Sequence, residues 1–481
     1  MVDILLIYPT YSYTRKNPPL GLAYLASYLE KSGYSVKISD VSAEHLTAAE
    51  LENVVITAKP KMVGISFMTN QWQEAVDTAE LIKRVNPQIL VVMGGPHVSA
   101  LPNEALADKS IDFVVMGEGE NTLLELADKF IKRKDVRLAD IKGIAFREGD
   151  GVVVTAPRPF IADLDSLPFP AWHLLAIEKY SVSPLGLEKE IVLPIISSRG
   201  CPNQCIFCDS HTIFGRCFRG RSAKNIFDEI LFLRNNYQIS QFDFVDDTIT
   251  IDKNRITELC NLIINNNVPV RWMCNARVNT VDINLLQLMK RAGCIRIDLG
   301  VESGDENVLR AIKKGISIDQ IRKAHRLVHD AGIVSNSFVM VGNLNEDFDS
   351  VKKTVQLVQE IAEDISIAIA TPFPGTELYK LAKANNWLRI TDWSRYVTSP
   401  TYLPGYRPIM VTDKMNEADI MKAFYYVQSK SVRKRFEVRY GKHFYFNPRF
   451  YVAAPFKIHN AKELLYKIKI GFRLLASMLK H

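Results

Sequence analysis

No run of about twenty apolar residues occurs in the 481-residue chain, so the sequence offers no segment able to span a bilayer. The N-terminus, MVDILLIYPT, lacks the basic n-region and cleavage site of a secretory leader and reads as a first β-strand. No cysteine precedes position 201, and the total of seven is odd. That usage argues against a secreted disulfide framework and for reduced thiols in a cytoplasmic chain. Charge of one sign is not in large excess: the net +7 is modest for this length, and the basic residues are mostly dispersed. Such a balance permits an anionic partner without the footprint of a nucleic-acid binder, and no nucleic acid is expected. Finally, no Gly-x-Gly-x-x-Gly opens a helix after the first strand, which removes the usual dinucleotide cradle.

What is present is a folded composition, 47% hydrophobic and 23% charged, in a chain too long for one ordinary domain. Residues 1–145 alternate apolar strand-like runs (VDILLIYP, KMVGISFM, QILVVMGGPH, IDFVVMGEGE) with amphipathic segments such as LGLAYLASYLEKSG. Alternation of this kind predicts an α/β fold, a doubly wound parallel sheet with helices on both faces. Ligands of such sheets bind at the carboxyl ends of the strands, where glycines let the backbone approach. Those ends carry Ser66 to Asn70, Gly94-Gly95-Pro96-His97 and Gly117-Glu118-Gly119-Glu120. Residues 146–190 are rich in proline (APRPF, LPFPAW, VSPLGL) and read as an ordered, irregular linker.

The run EIVLPIISSRG then delivers the chain into Cys201, Cys205 and Cys208, spaced Cys-x₃-Cys-x₂-Cys. A closed zinc site needs four protein ligands, and Cys217 would have to be the fourth. A [4Fe–4S] cluster also takes four thiolates as a rule. With three, one iron keeps an open position, which suits binding a substrate or cofactor. The other cysteines, Cys217, Cys260, Cys274 and Cys294, are scattered and read as buried small hydrophobes. From Ile191 the chain continues as about six βα repeats to residue 390, too short for an eight-fold barrel of about 250 residues.

These motifs carry two resemblances. Pro-Pro-Leu-Gly-Leu after the first strand, with the Gly-Gly-Pro-His and Gly-Glu-Gly-Glu turns, resembles the cobalamin-binding domain that precedes many radical S-adenosylmethionine (SAM) enzymes. The cysteine triplet, with Phe207 before its third member, resembles the signature of the radical SAM superfamily. The resemblance implies a cobalamin domain, an open (β/α)₆ barrel over 191–390 and a mainly helical C-terminal extension over 391–481. It implies that Cys201, Cys205 and Cys208 bind three irons while SAM chelates the fourth. Phe207, Asp246, Asp247, Arg277, Glu302 and Ser303 are the implied SAM contacts. Ser66, Thr69, Gly94, Gly95, Gly117 and Glu118 are the implied cobalamin contacts. The sequence departs from one corrinoid pattern, because Asp-x-His-x-x-Gly is missing after the first strand. The lower face of cobalt then lacks that histidine, and His97 reads as a turn or tail contact.

The implied activity is methylation of an unactivated carbon of a small-molecule or lipid-like substrate, through a 5′-deoxyadenosyl radical and methylcobalamin. Cyclisation or oxidative rearrangement with the same cofactors is the alternative, and a corrinoid or iron–sulfur sensor without turnover is a third reading. An electron donor such as flavodoxin or ferredoxin is the implied partner. The tail segment NAKELLYKIKIGFRLLASMLKH sets Leu464, Leu465, Ile468, Leu475 and Leu479 on one face among lysines and Arg473. A basic amphipathic helix of this kind docks on its own protein or lies peripherally on the inner membrane face.

Overall fold

Continuous apolar runs become strands because a parallel sheet covered by helices is buried on both faces. In the computed structural model, which describes residues 1–10, 17–180, 191–401 and 403–440 (side chains to 431), two such sheets carry the fold. The first contains β1 (Ile4–Tyr8), β2 (Val36–Asp40), β3 (Met62–Ser66), β4 (Leu90–Gly94), β5 (Phe113–Val115), β6 (Ile144–Glu148) and β7 (Gly151–Val154), in the order 2-1-3-4-5-6-7. Strands β1 to β5 pair in parallel, while β6 and β7 join antiparallel as a closing hairpin. The expected boundary after residue 145 therefore falls inside β6. The sheet continues to Val154, because its edge is closed by the hairpin around Gly149.

The linker is ordered where described. Its Trp172 is fully buried, and the Tyr180 hydroxyl donates to Asp40 at the end of β2 over 2.8 Å.

The second sheet contains β8 (Val192–Ile195), β11 (Gln241–Phe244), β12 (Arg271–Ala276), β13 (Cys294–Glu302), β14 (Val334–Val341) and β15 (Asp364–Ile369), ordered 15-14-13-12-11-8. All its pairings are parallel, as an open six-stranded barrel requires. A separate two-stranded ladder, β9 (Ser198–Arg199) with β10 (Arg219–Gly220), brackets the cysteine loop. Polar caps start the barrel helices. Ser222, Asp252, Asp282, Ser317, Asp347 and Thr376 each accept a backbone N–H from the first turn, about 1 kcal/mol apiece. The helix Glu417–Tyr440 of the C-terminal extension packs on β15 and β14 and covers the edge that the open barrel leaves. The amphipathic tail helix expected over residues 460–481 lies outside the described residues. No helix among the described residues is long and apolar enough to cross a membrane.

Candidate active site

Cys201, Cys205 and Cys208 occupy the loop between β9 and the short helix Ser210–Phe214, at the mouth of the barrel. All three thiols are free, with Cys205 buried and its two partners half-buried. The loop is held tightly at its root. Gly200 has φ +83°, and a Cβ there would lie 2.2 Å from the Cys217 carbonyl. The Asn203 side-chain amide donates to Cys201 Sγ at 3.1 Å, and Arg277 Nη1 reaches Cys205 Sγ at 3.7 Å. Burial, with Asp247 and Asp209 adding, pushes the Cys208 thiol up to about 12, so a thiolate there needs a cation against it. Among the described residues, no three cysteine, histidine or carboxylate side chains converge as a single ion would require. A cluster demands less convergence, since each thiolate binds a different iron.

Beside Cys205 the strand ends supply a charged rim. Glu302 closes β13 with φ +63°, a left-handed backbone that is uncommon for a residue with a Cβ. Its carboxylate accepts from Lys314 Nζ at 2.8 Å, and both side chains are buried. The pair lies across Gly300, where a Cβ would stand 2.5 Å from Lys314 Nζ and 2.9 Å from Glu302 Oε1. Arg277 Nη2 donates to the Lys314 carbonyl, and Lys314 Nζ sits 5.9 Å from the Phe207 ring centre. Arg277 Nε is buried with no protein partner. Phe207, Arg277 and Glu302 are thus brought together at Cys205, and Lys314 joins them. Sequence reasoning missed Lys314; the only local signal was Lys-Lys-Gly ending a helix.

The other expected SAM contacts are placed differently. Asp246 is buried and committed to the start of the cysteine-loop ladder, accepting from Ser197 N (3.3 Å), Ser197 Oγ (3.0 Å) and Ser198 Oγ of β9. Ser303 is fully buried and accepts from Asp305 N at 3.2 Å, which shapes the start of the next helix. Both side chains already have protein partners for one reason: a short polar side chain at a strand end readily serves the adjoining loop. Asp247 does lie at the cluster loop, accepting from Ser210 Oγ at 2.5 Å.

On the first sheet, an apolar slot opens at the carboxyl edge, lined by Leu6, Leu22, Leu25, Ser66, Gly94 and Leu123 among others. Gly64 keeps it open, since a Cβ there would meet Leu6 Cδ2 at 2.7 Å. Gly95, with φ +106°, stacks against the next loop, its Cβ position 2.6 Å from the Phe67 carbonyl. Thr69 is buried in the neighbouring turn Thr69–Gln71. Gly117 and Glu118, expected at the same cradle, also meet the barrel. Gly117 abuts the helix Ser210–Phe214, and Glu118 accepts from Arg199 (3.1 Å), Arg219 (2.8 Å) and Ile161 N (2.8 Å). A buried carboxylate needs such partners, and these arginines come from the barrel.

His97 is buried with both ring nitrogens unpartnered, boxed by the rings of Phe67, Trp72 and Trp393 at 6.0, 5.0 and 5.0 Å. Burial pushes its pKa down to about 4, so the ring is neutral near pH 7. Cys217 is exposed, against the expectation of a buried hydrophobe, because its turn faces outward. Cys260, Cys274 and Cys294 are buried as expected.

A doubly wound domain with an apolar tail slot, set edge-on to a six-stranded barrel with three thiols at its mouth, defines a two-cofactor barrel enzyme. Comparison with known proteins agrees. The B12 binding domain model matches residues 12–127 and the radical SAM superfamily model residues 195–358. An uncharacterized methyltransferase of Pyrococcus horikoshii is 34% identical over 407 residues, covering 83% of this chain and 86% of that protein. An anaerobic magnesium-protoporphyrin IX monomethyl ester cyclase of Rubrivivax gelatinosus is 32% identical, covering 84% and 72%. The structure of the radical SAM methyltransferase TsrM from Kitasatospora setae, with cobalamin and a [4Fe–4S] cluster bound, superposes with a TM-score of 0.67 at 18% identity, covering 86% of this chain and 83% of that one. The chain belongs to the family of radical SAM enzymes that carry a B12-binding domain.

Its cofactors are a [4Fe–4S] cluster, SAM and cobalamin, and the residues present fit them. Three free thiols beside the buried, unpartnered Arg277 Nε suit an anionic cluster with an anionic ligand. The slot held open by Gly64, apolar except at Ser66, suits the flat nucleotide tail of cobalamin.

Proposed function

We propose that the enzyme methylates an unactivated carbon of a small-molecule substrate. One observation carries the reading. The helix Pro96–Ala100, at the cobalamin edge of the first sheet, packs directly on the helix Ser210–Phe214 that leaves the cluster loop. Two cofactor cradles in contact suit a reaction in which a radical made at one is quenched by a group carried on the other. When bound, SAM and the cluster supply a hydrogen-abstracting radical, and cobalamin supplies a methyl group.

The chain's own residues hold and orient. Arg277 and Lys314 present fixed positive charge suited to the SAM carboxylate, and Glu302 presents an acceptor for hydroxyl or ammonium groups. Asn203 steadies Cys201 by donating to its sulfur. The phenyl ring of Phe207 limits water beside Cys205, which strengthens these interactions. Reduction of the cluster calls for a low-potential electron donor such as flavodoxin or ferredoxin. The methyltransferase relative at 34% identity supports methyl transfer. The cyclase relative at 32% identity supports a second reading, cyclisation with the same cofactors.

The test is anaerobic reconstitution with iron, sulfide, hydroxocobalamin, SAM and reductant. Methyl transfer predicts 5′-deoxyadenosine together with S-adenosylhomocysteine. With substrate present, formation of 5′-deoxyadenosine without S-adenosylhomocysteine sinks the methylation reading and leaves cyclisation.

A further inference from the structure

Four charged side chains, three of them buried, stand between the two cofactor cradles. Arg199 donates to Glu118 Oε1 at 3.1 Å and to Glu120 Oε1 at 2.6 Å. Arg219 donates to both Glu118 oxygens, at 2.8 and 3.0 Å, and to the Ile161 carbonyl at 2.7 Å. Arg199, Glu118 and Glu120 are each less than a tenth exposed. The two glutamates belong to the loop after β5 and the helix it starts, at the cobalamin edge. The two arginines face each other across the β9–β10 ladder, and Arg199 stands two residues before Cys201. Through these contacts Glu118 and Glu120 both reach Arg199, and from there the chain runs through Gly200 to Cys201.

Buried ion pairs are a poor way to glue two domains. Their desolvation cost rivals their attraction, and apolar residues of the same volume would hold the seam as well or better. What guanidinium–carboxylate pairs add is direction, because the planar fork accepts its partners only in fixed geometry. Glu118 is engaged by both arginines at once and also by Ile161 N of the linker (2.8 Å), so a tilt of either domain breaks contacts on several sides. The backbones are arranged for close approach at the same place: at Gly117 a Cβ would lie 3.7 Å from the Ile213 carbonyl of the helix after the cluster loop.

We propose that Glu118, Glu120, Arg199 and Arg219 are positioning residues that fix the spacing and tilt of the cobalamin edge against the cluster loop. The inference requires both cofactors to bind but does not require the reaction to be methyl transfer. They act through the cradles and touch neither reacting centre.

The test uses holoenzyme carrying both cofactors, as wild type, Glu118→Gln, Glu120→Gln and Arg199→Lys, without substrate. Pulsed dipolar EPR between cob(II)alamin and the reduced cluster reads their separation directly. Wild type should give one narrow distance, and Glu118→Gln and Arg199→Lys a shifted or broadened one, at unchanged cofactor content. With SAM and a chemical reductant, 5′-deoxyadenosine formation should persist in every variant that keeps both cofactors, since the residues touch neither reacting centre. Should Glu118→Gln or Arg199→Lys fail to keep both cofactors, Glu120→Gln supplies the comparison, since it leaves Glu118 paired to both arginines. A distance distribution identical to wild type in every variant that keeps both cofactors overturns the proposal, even where the melting temperature falls. Failure of the methylation reading leaves this test intact, because the distance is measured without substrate and by itself decides the positioning role.

Discussion

Lys314 and Glu302 illustrate how one pair of charges can serve both fold and ligand. Each is less than a tenth exposed, and they meet at 2.8 Å across Gly300. Removing one partner leaves the other buried and unpaired, so Lys314→Met should cost about 3 kcal/mol of stability. The paired variant Lys314→Met/Glu302→Gln should recover most of that loss, while SAM affinity stays about tenfold or more below wild type in both. Thermal melts and calorimetric titration of cluster-loaded protein with SAM check it. Normal SAM affinity in the stable double variant would remove the pair from the site. Glu346 behaves differently: burial pushes its carboxyl up to about 7 from 4.5, although Gly342 N and Asn343 N donate to it. Its folded form binds the proton more tightly than the unfolded chain does. The associated stability is present at low pH and is lost as pH rises from 4.5 through about 7. Glu346→Gln should therefore match the parent at pH 5 and exceed it by about 3 kcal/mol at pH 8. Parallel melting curves at the two pH values, with no change in the difference, would refute this.

At the scale of elements, β1, β3, β4 and β5 were legible because parallel strands buried on both faces read as near-continuous apolar runs, and the barrel was legible because its strands alternate regularly with amphipathic helices. The β6–β7 hairpin was not, since the run Gly-Val-Val-Val is only four residues long and leads straight into the proline-rich stretch, and Val152 and Val154 end up exposed. The two-residue ladder β9–β10 has no period to read at all, yet it fixes the cysteine loop. That loop depends on its root. Gly200 combines φ +83° with a Cβ position 2.2 Å from the Cys217 carbonyl and 2.8 Å from the Phe214 carbonyl, both backbone atoms that cannot swing aside. Gly200→Ala should leave the barrel folded but give sub-stoichiometric iron and sulfide after reconstitution. Gly21→Ala is the control, because nothing lies within 4 Å of its Cβ position and it sits in the helix Leu20–Lys31, where alanine is favoured. Equal iron content in the two variants would show that the loop closes without a glycine at its root.

Across the whole molecule, residues whose role is local were readable, and residues whose role depends on a distant partner were not. The cysteine triplet announces itself within eight positions. Glu118 stands at a strand end, where an acid suits a ligand or an ion pair equally, and its arginines lie 81 and 101 residues further on. His97 is a second such case. Its ring is enclosed by Phe67 and Trp72 of the first domain and Trp393 of the C-terminal extension, and the Trp393 indole N–H also donates to Glu104 at 2.5 Å. This box is where the extension is fastened to the cobalamin domain, so its protonation state matters to the assembly. Burial lowers His97 from 6.5 to about 4, and the unfolded chain therefore binds the proton more readily than the folded one. The stability His97 contributes is present above pH 6.5 and is lost as pH falls from 6.5 toward 4. Phenylalanine fits an aromatic box and carries no titrating nitrogen. In His97→Phe, the loss of stability between pH 7 and pH 5 should shrink by about 2 kcal/mol relative to the parent. Limited proteolysis should report the same change as slower cleavage of the extension at pH 5. If the variant and parent lose equal stability over that interval, the box is not what acid loosens, and the fastening must reside in the Trp393–Glu104 contact instead.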